Sequence, residues 1–90
     1  MALEKDLETK CRELVERRGG KLFKWKSPGN KGIHDRLVVL PGGYVAFCEF
    51  KKPGGRFQPL QQYWQKWFRE RGHRTYVIDN YADFVAMLPK

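Results

Sequence analysis

The chain contains few cysteines, no long hydrophobic run and a minority of acidic residues, and each shortage excludes a class of protein. Cys11 and Cys48 form no CxxC or Cys/His cluster, which argues against a zinc site and predicts reduced core thiols. No apolar run approaches the ~18 residues of a membrane span, and no hydrophobic signal region follows Met1. We therefore expect an intracellular, cytoplasmic protein that does not contact a membrane.

Basic residues outnumber acidic ones throughout the sequence. There are 18 Lys and Arg residues against 10 Asp and Glu residues, which gives a formal net charge of +8 at pH 7. A positive field dispersed along the whole chain suits a polyanion such as nucleic acid. The 90 residues have room for one domain, residues 1–90, whose small core a partner subunit would help to stabilise.

Apolar spacing and turn residues predict seven elements in the order α-β-β-β-α-β-α. Helical spacing of apolar residues marks the helices, and glycine and proline clusters separate the strands. The predicted elements are a helix over 3–18, strands over 21–25, 36–40 and 44–51, a helix from Pro59 to just before Gly72, a strand over 75–78 and a last helix capped by Asn80. This order predicts an α/β fold in which helices flank a mixed β-sheet.

Two carboxylates and an ammonium group meet in the predicted hairpin. Asp35 precedes one strand, and Glu49 and Lys51 point the same way at the end of the next, because strand side chains alternate faces. Hard oxygen ligands suit Mg²⁺, so we predict that Asp35, Glu49 and the backbone carbonyl of Phe50 bind the metal while the Phe50 side chain enters the core. Lys51 would orient a water molecule or offset charge on a phosphate, as phosphodiester hydrolysis requires.

An ordinary surface strand is the alternative interpretation of the Glu-x-Lys motif, in which Glu49 and Lys51 pair with each other or with water. The Gly-x-x-Asp sequence from Gly32 to Asp35 and the hairpin spacing make the metal-site interpretation more specific.

Basic residues flank this predicted site on two loops, near the aromatic residues Trp25 and Phe57. Cations next to aromatic rings are typical of proteins that contact phosphates and stack on exposed bases. The predicted DNA-binding residues are Lys24, Lys26, Lys31, Lys52 and Arg56.

The motifs in their order resemble those of the virus-type replication-repair nuclease (VRR-NUC) domain, in its stand-alone phage-type form. This family is a branch of the PD-(D/E)XK nuclease superfamily. The matching residues are Gly19-Gly20, Lys24, Ser27-Pro28-Gly29, Gly32, Asp35-Arg36-Leu37-Val38, Leu40-Pro41-Gly42-Gly43, Phe47, Glu49, Lys51 and Pro59-Leu60-Gln61. The resemblance implies a restriction-endonuclease-like fold, dependence on Mg²⁺ with Mn²⁺ as a substitute, no organic cofactor, and cleavage of DNA, often at branches. His34 stands where the family usually has proline.

The resemblance also implies two further site residues, both on helices. The first helix of the family usually brings a glutamate to the metal, and both Glu4 and Glu8 are candidates. Glu8 lies 11 positions before Gly19, which fits the family, whereas Glu4 sits deeper in the apolar stripe; we predict Glu8. Gln61 matches the family glutamine whose amide would hold the scissile phosphate or the attacking water. The alternative is a plain surface residue like the neighbouring Gln62 and Gln65.

The predicted function is structure-selective cleavage of four-way (Holliday) junctions or similar branched DNA by a homodimer. One site per chain cannot make two symmetric incisions, whereas a two-fold dimer can. The predicted dimer contact is the second helix, or the hairpin near Tyr44. The aromatic residues of that helix are Tyr63, Trp64, Trp67 and Phe68. Two alternatives remain open: a nucleic-acid-binding module without catalysis, and a nicking or flap nuclease that does not resolve junctions.

Overall fold

The helices and strands follow one another in the predicted order in the computed structural model, which describes residues 3–33 and 35–90 and the side chains of residues 5–33 and 35–90. The elements are α1 (Leu3–Arg17), β1 (Lys21–Lys24), β2 (Arg36–Leu40), β3 (Tyr44–Phe50), α2 (Pro59–Glu70), β4 (Arg74–Ile78) and α3 (Tyr81–Met87). The predicted fold class is confirmed, and the predicted ends of the strands are correct to within one residue. Within the described ranges, no helix has both the length and the apolar character needed to cross a membrane.

The strands form one mixed sheet in the order β1-β2-β3-β4. The first three strands pair antiparallel: the loop over residues 25–35 joins β1 to β2, and a tight turn over 41–43 joins β2 to β3. β4 pairs parallel to β3 after the chain crosses over through α2. The hairpin that carries the predicted site therefore lies in the centre of the sheet.

Alternate residues of β3 face the main core, which lies between the sheet and the helices α1 and α3. Successive side chains of a strand point to opposite faces of the sheet, so every second residue of β3 is buried in this core. The buried residues of β3 are Tyr44, Ala46, Cys48 and Phe50, and the helices contribute Cys11, Val15, Phe84 and Met87. The Tyr44 hydroxyl donates a hydrogen bond to the Met87 carbonyl at 2.6 Å, which ties the start of β3 to the end of α3.

The opposite face of the sheet carries an aromatic cluster under α2. The Phe47 ring lies 4.4 Å from the Phe68 ring of α2 and 5.3 Å from the Trp25 ring, measured between centroids. Rings at these distances gain energy beyond the area that they bury. Trp25 is thus a packing residue that fixes the chain just after β1, close to Asp35.

Both cysteines are free and buried, which confirms the prediction of core thiols. Burial raises the pKa of Cys11 from 9.0 to about 12, against a smaller lowering by Lys10, and burial likewise raises the pKa of Cys48. A thiol whose pKa is higher in the folded state stabilises the fold below pH 9, and this contribution is lost as the pH rises towards 12.

We therefore expect both thiols to resist the reagent DTNB (5,5′-dithiobis-(2-nitrobenzoic acid)) near neutral pH and to react together on unfolding, because the thiolate is the reactive form. The measurement is the rate of DTNB labelling across a urea titration. Fast labelling of Cys11 or Cys48 in the native protein would contradict this expectation.

Candidate metal and DNA site

The register of the central hairpin brings the two predicted metal ligands together. Arg36 pairs with Cys48, and the same register continued by one residue sets Asp35 opposite Glu49. Residues directly opposite in an antiparallel pair have Cα atoms about 4.5–5.5 Å apart. The backbone N–H of Trp25 donates a hydrogen bond to the Asp35 carbonyl at 2.8 Å, so the backbone of Asp35 is also held from the β1 side.

Lys51 follows directly after the end of β3 and has a fixed backbone. Its N–H donates to the Ile78 carbonyl at 2.8 Å, and the preceding Phe50 is buried against Phe84, which confirms that the Phe50 side chain enters the core. The following turn folds back on Lys51: a Cβ atom at Gly55 would lie 3.3 Å from the Lys51 Cβ and 2.8 Å from the Lys52 carbonyl. Glycine at position 55 therefore permits the loop to pack closely beside Lys51.

Arg36 links the first helix to the predicted metal site. Its Nε and Nη2 donate to the two carboxylate oxygens of Glu8 at 3.1 and 2.8 Å, and its Nη1 lies 2.9 Å from Oδ2 of Asp35. The side chains of Arg36 and Glu8 are 15 % and 22 % exposed, and that of Asp35 is 47 % exposed. One guanidinium group thus joins two acidic residues from distant parts of the chain.

The charge on Arg36 is firmly held. Burial alone would lower its pKa, but the hydrogen bond with Glu8 and the negative charges of Asp35, Glu8 and Glu49 outweigh burial and raise the pKa of Arg36 above its ordinary value. Arg36 therefore stays positive at any working pH and compensates the carboxylates around it. No role for Arg36 was predicted from the sequence. The signal for such a role was a positively charged residue at the start of an otherwise apolar strand, directly after Asp35.

The structure places Glu8 on Arg36, since both of its carboxylate oxygens contact that guanidinium. The side chain of the alternative candidate, Glu4, and the whole of His34 lie outside the described residues. Among the residues that the structure does describe, no group of three or more His, Cys, Asp or Glu side chains could hold a metal ion. The predicted ligand set therefore consists of two side-chain carboxylates and a backbone carbonyl.

Gln61 lies in the first turn of α2, beside the loop that leads to Asp35. Its Oε1 accepts a hydrogen bond from the Gln58 N–H at 3.0 Å, which satisfies a donor at the start of the helix. A Cβ atom at Gly32 would lie only 3.1 Å from the backbone nitrogen of Gln61, so the loop and the helix are in close contact. This end of α2 is thus held next to the hairpin that carries the carboxylates.

All of the predicted DNA-binding cations are exposed on segments next to the site. They lie on β1, on the loop before Asp35 and on the loop after Lys51. These residues are Lys24, Lys26, Lys31, Lys52 and Arg56. The positive side chains therefore lie at the same end of the sheet as Asp35, Glu49 and Lys51.

Two comparisons with known proteins cover nearly the whole chain. The chain is 36 % identical over 88 residues to "Putative nuclease p44" of Acyrthosiphon pisum secondary endosymbiont phage 1, which covers 98 % of this chain and 89 % of the phage protein. A solved structure described as "VRR_NUC domain" superposes with a TM-score of 0.87 at 27 % identity, over 97 % of this chain and 95 % of that chain. The chain belongs to the VRR-NUC nuclease family. No family profile matches it.

This VRR-NUC chain has a cavity at each end of the sheet. A cavity of about 400 Å³ lies at the far end, beside Tyr44 and the β2–β3 turn, and three cations line it: Arg18, Arg74 and Lys90. No Asp or Glu side chain is among its described lining residues. A smaller cavity of about 270 Å³ lies against Asp35. Because carboxylate oxygens are the ligands that hard divalent cations prefer, the Asp35 end is the candidate site despite its smaller cavity.

Proposed function

We propose that this chain is a divalent-metal-dependent DNA endonuclease with its active site at Asp35, Glu49 and Lys51. The observation that carries the proposal is the hairpin register, which sets Asp35 opposite Glu49 and leaves Lys51 at the adjacent strand end. Membership of the VRR-NUC nuclease family supports the same reaction class. The net charge of +8 and the exposed cations around this end of the sheet favour a polyanionic substrate.

The residues present fit a small hard cation. Asp35 and Glu49 offer carboxylate oxygens, and Phe50 offers a carbonyl oxygen, which is the donor type that Mg²⁺ and Mn²⁺ prefer. Mg²⁺ usually binds few protein ligands and keeps several waters, so two carboxylates and a carbonyl are a sufficient set. When bound, such an ion supplies Lewis-acid stabilisation of a phosphate and lowers the pKa of water.

The side chains around this ligand set have separate roles. Lys51 neutralises negative charge that develops on the scissile phosphate and orients the attacking water. The Gln61 amide nitrogen is available to a phosphate oxygen while its Oε1 accepts from the Gln58 N–H. Glu8 acts through Arg36 as a positioning residue for Asp35, since its carboxylate binds both the Nε and Nη2 groups of that guanidinium.

Binding should be strongly salt-dependent, because Lys and Arg side chains release counterions from DNA phosphates. Each lost phosphate contact should reduce the slope of log affinity against log salt by about one unit. The test variant carries alanine at Lys24, Lys31, Lys52 and Arg56. A matched control carries alanine at four exposed cations on other parts of the surface, Arg12, Arg17, Lys21 and Lys66. Fluorescence anisotropy at several salt concentrations measures both slopes. A wild-type slope in the test variant would show that other residues contact the DNA phosphates.

The preferred substrate in this proposal is branched DNA cut by a homodimer, with four-way junctions as the main candidate. The exposed residues on α2 that support a dimer contact are Leu60, at 51 % exposure, and Tyr63, at 56 %. Tyr44 and Phe68 are each 8 % exposed, so neither side chain offers much surface to a partner. The outer surface of α2, rather than the hairpin at Tyr44, is the proposed contact.

A panel of labelled DNAs tests the function directly. Wild-type protein with Mg²⁺ is incubated with duplex, single-stranded, flap, splayed and four-way DNAs, and light scattering measures its mass. We expect a mass about twice 10.7 kDa and paired, symmetric nicks in the four-way junction. A monomer that trims flaps or ends and leaves junctions intact would favour the alternative nuclease. Metal-independent binding without any cleavage would favour a non-catalytic binding module.

A further inference from the structure

A cavity of about 270 Å³ opens directly beside Asp35, between that residue and the loop over residues 26–33. We call it the loop cavity. Trp25, Pro28 and Ile33 line it, and its inner surface is mainly apolar. Sites for drug-sized molecules measure about 300–1,000 Å³, so the loop cavity suits one smaller planar group. An apolar cavity beside a candidate metal ligand is not needed to bind a phosphate, which leaves its purpose unexplained by the proposed reaction.

The outer wall of the loop cavity is a well-formed turn. The Asn30 N–H donates to the Ser27 carbonyl at 3.1 Å, and the Asn30 side-chain amide donates to the Ser27 hydroxyl at 2.9 Å. Pro28 and Gly29 occupy the two central positions, and Gly29 has a φ of +84°, as the third position of a type II turn requires. The sequence thus favours this turn locally, before any partner binds.

The same loop is fixed to α2 at two points. The Trp64 indole N–H donates to the Lys31 carbonyl at 3.0 Å. Gly32 has a φ of +81° and lies so near the helix that a Cβ atom there would be 2.5 Å from the Leu60 Cβ. On its inner side, Trp25 packs on Phe47 and Phe68. The cavity therefore has walls held from both sides and is preformed.

We propose that the loop cavity binds a single unpaired nucleobase of DNA, from the nucleotide next to the scissile phosphate. This inference rests on the proposed function and deepens it. A base is planar and largely apolar on its faces, and an indole such as Trp25 offers it a partner for stacking. Polar base edges would meet the Ser27 and Asn30 side chains at the rim, and the exposed cation Lys26 would contact the adjoining phosphate.

The location of the cavity explains why a base is the best occupant. A group that enters it while a phosphate sits at Asp35 must be joined to that phosphate by a short link, as a base is through its sugar. A base within a duplex must leave its stack and its partner to enter, whereas an unpaired base at a branch does so at little cost. Selection of branched over continuous DNA then follows from the site itself and does not require a second copy of the chain.

Equilibrium binding to three DNAs tests the inference. The probes are a fluorescent duplex with a one-nucleotide adenine bulge, the same duplex with an abasic residue in the bulge, and the fully paired duplex. Affinities are measured by anisotropy in EDTA on a Lys51→Ala background, which removes cleavage without touching the loop cavity. Ile33→Trp fills the cavity, and Ile33→Ala removes part of its wall. If one of these variants does not fold, the other still tests the inference. Phe23→Ala is the control, since Phe23 is an exposed aromatic outside the cavity and outside the proposed dimer contact.

We expect the Lys51→Ala protein to bind the adenine bulge about tenfold more tightly than the abasic bulge, in line with the stacking of one base on an aromatic residue. Ile33→Trp should lower affinity for the adenine bulge to the abasic level and leave the other two affinities unchanged, and Ile33→Ala should reduce the preference. Phe23→Ala should keep it. Equal affinity for both bulges, or a preference that survives Ile33→Trp, would overturn the inference.

The outcomes for the cavity and for the proposed function are separable. If wild-type protein cuts DNA in a manner that needs Asp35 but shows no bulge preference, the inference about the base fails and the nuclease proposal stands. If no DNA is cut while the bulge preference depends on Ile33, the nuclease proposal fails and the base-binding cavity stands.

Discussion

Cleavage of branched DNA should fall about a thousandfold in the Asp35→Asn protein, a loss of ~4 kcal/mol of transition-state stabilisation. Asparagine keeps the shape of the side chain but removes the negative charge that a divalent ion requires. The register places Glu49 opposite Asp35, so Glu49→Gln should have an effect of similar size, and Lys51→Ala should remove the ammonium from the same site. DNA affinity should remain close to that of the wild type, because it depends on the exposed cations.

Single-turnover rates in Mg²⁺ measure this effect, with anisotropy for affinity and thermal unfolding for the fold. The matched control is Glu16→Gln, which removes a charge from an exposed position on α1. That control should cleave at the wild-type rate. Near-normal cleavage by Asp35→Asn in Mg²⁺ would remove Asp35 from the active site and with it the proposed metal ligand set.

The second large effect should come from Arg36→Met, which removes the guanidinium but keeps a side chain of similar length. Glu8 would lose its bidentate partner while mostly buried, and Asp35 would lose the group 2.9 Å from its Oδ2. Loss of one partner of a fully buried pair costs about 3–5 kcal/mol. Since these side chains are partly exposed, we expect a loss of about 2 kcal/mol in the free energy of unfolding and a large drop in cleavage rate.

The variant Arg36→Met/Glu8→Leu distinguishes charge from packing. If an unpaired carboxylate causes the loss of stability, removal of Glu8 should recover most of it, whereas cleavage should stay low because Asp35 remains unsupported. Arg36→Lys should recover only part of both, since an ammonium cannot donate two parallel hydrogen bonds to Glu8. Urea denaturation measures each free energy. Additive losses in the double variant would show that the pair contributes no coupling.

The pH dependence of the Arg36→Met effect has a definite sign. In the wild type, the pKa of Arg36 is raised, so its charge and its stabilising contribution persist throughout the working range. A base whose pKa is raised in the folded state contributes stability below its ordinary pKa, and this contribution is lost only as the pH rises through the raised value. The stability difference between the variant and the wild type should therefore keep its size across the neutral range and shrink only in strong alkali. A difference that already shrinks between neutral and mildly alkaline pH would contradict this expectation.

Local patterns in the sequence account for the helices and strands and for the members of the predicted site. Apolar residues at helical spacing define α1, alternating burial defines β3, and Pro59 and Asn80 mark where two helices begin. These signals depend on residues a few positions apart, so each element is encoded where it forms. The pairing of Asp35 with Glu49 was also predictable, because a short turn joins the two strands and limits their register.

The tertiary structure decided which distant residues meet, and no local pattern encodes those contacts. Arg36 and Glu8 are 28 positions apart, and their pairing requires α1 to pack on the sheet in one orientation. The burial of Tyr44 likewise depends on Met87, 43 positions away. The loop cavity exists only because Trp64 and Leu60 of α2 hold the loop beside Asp35. The sequence by itself therefore determined the elements and the candidate site residues, whereas the packing of α1 and α2 on the two faces of the sheet decided how those residues are supported and what lies beside them.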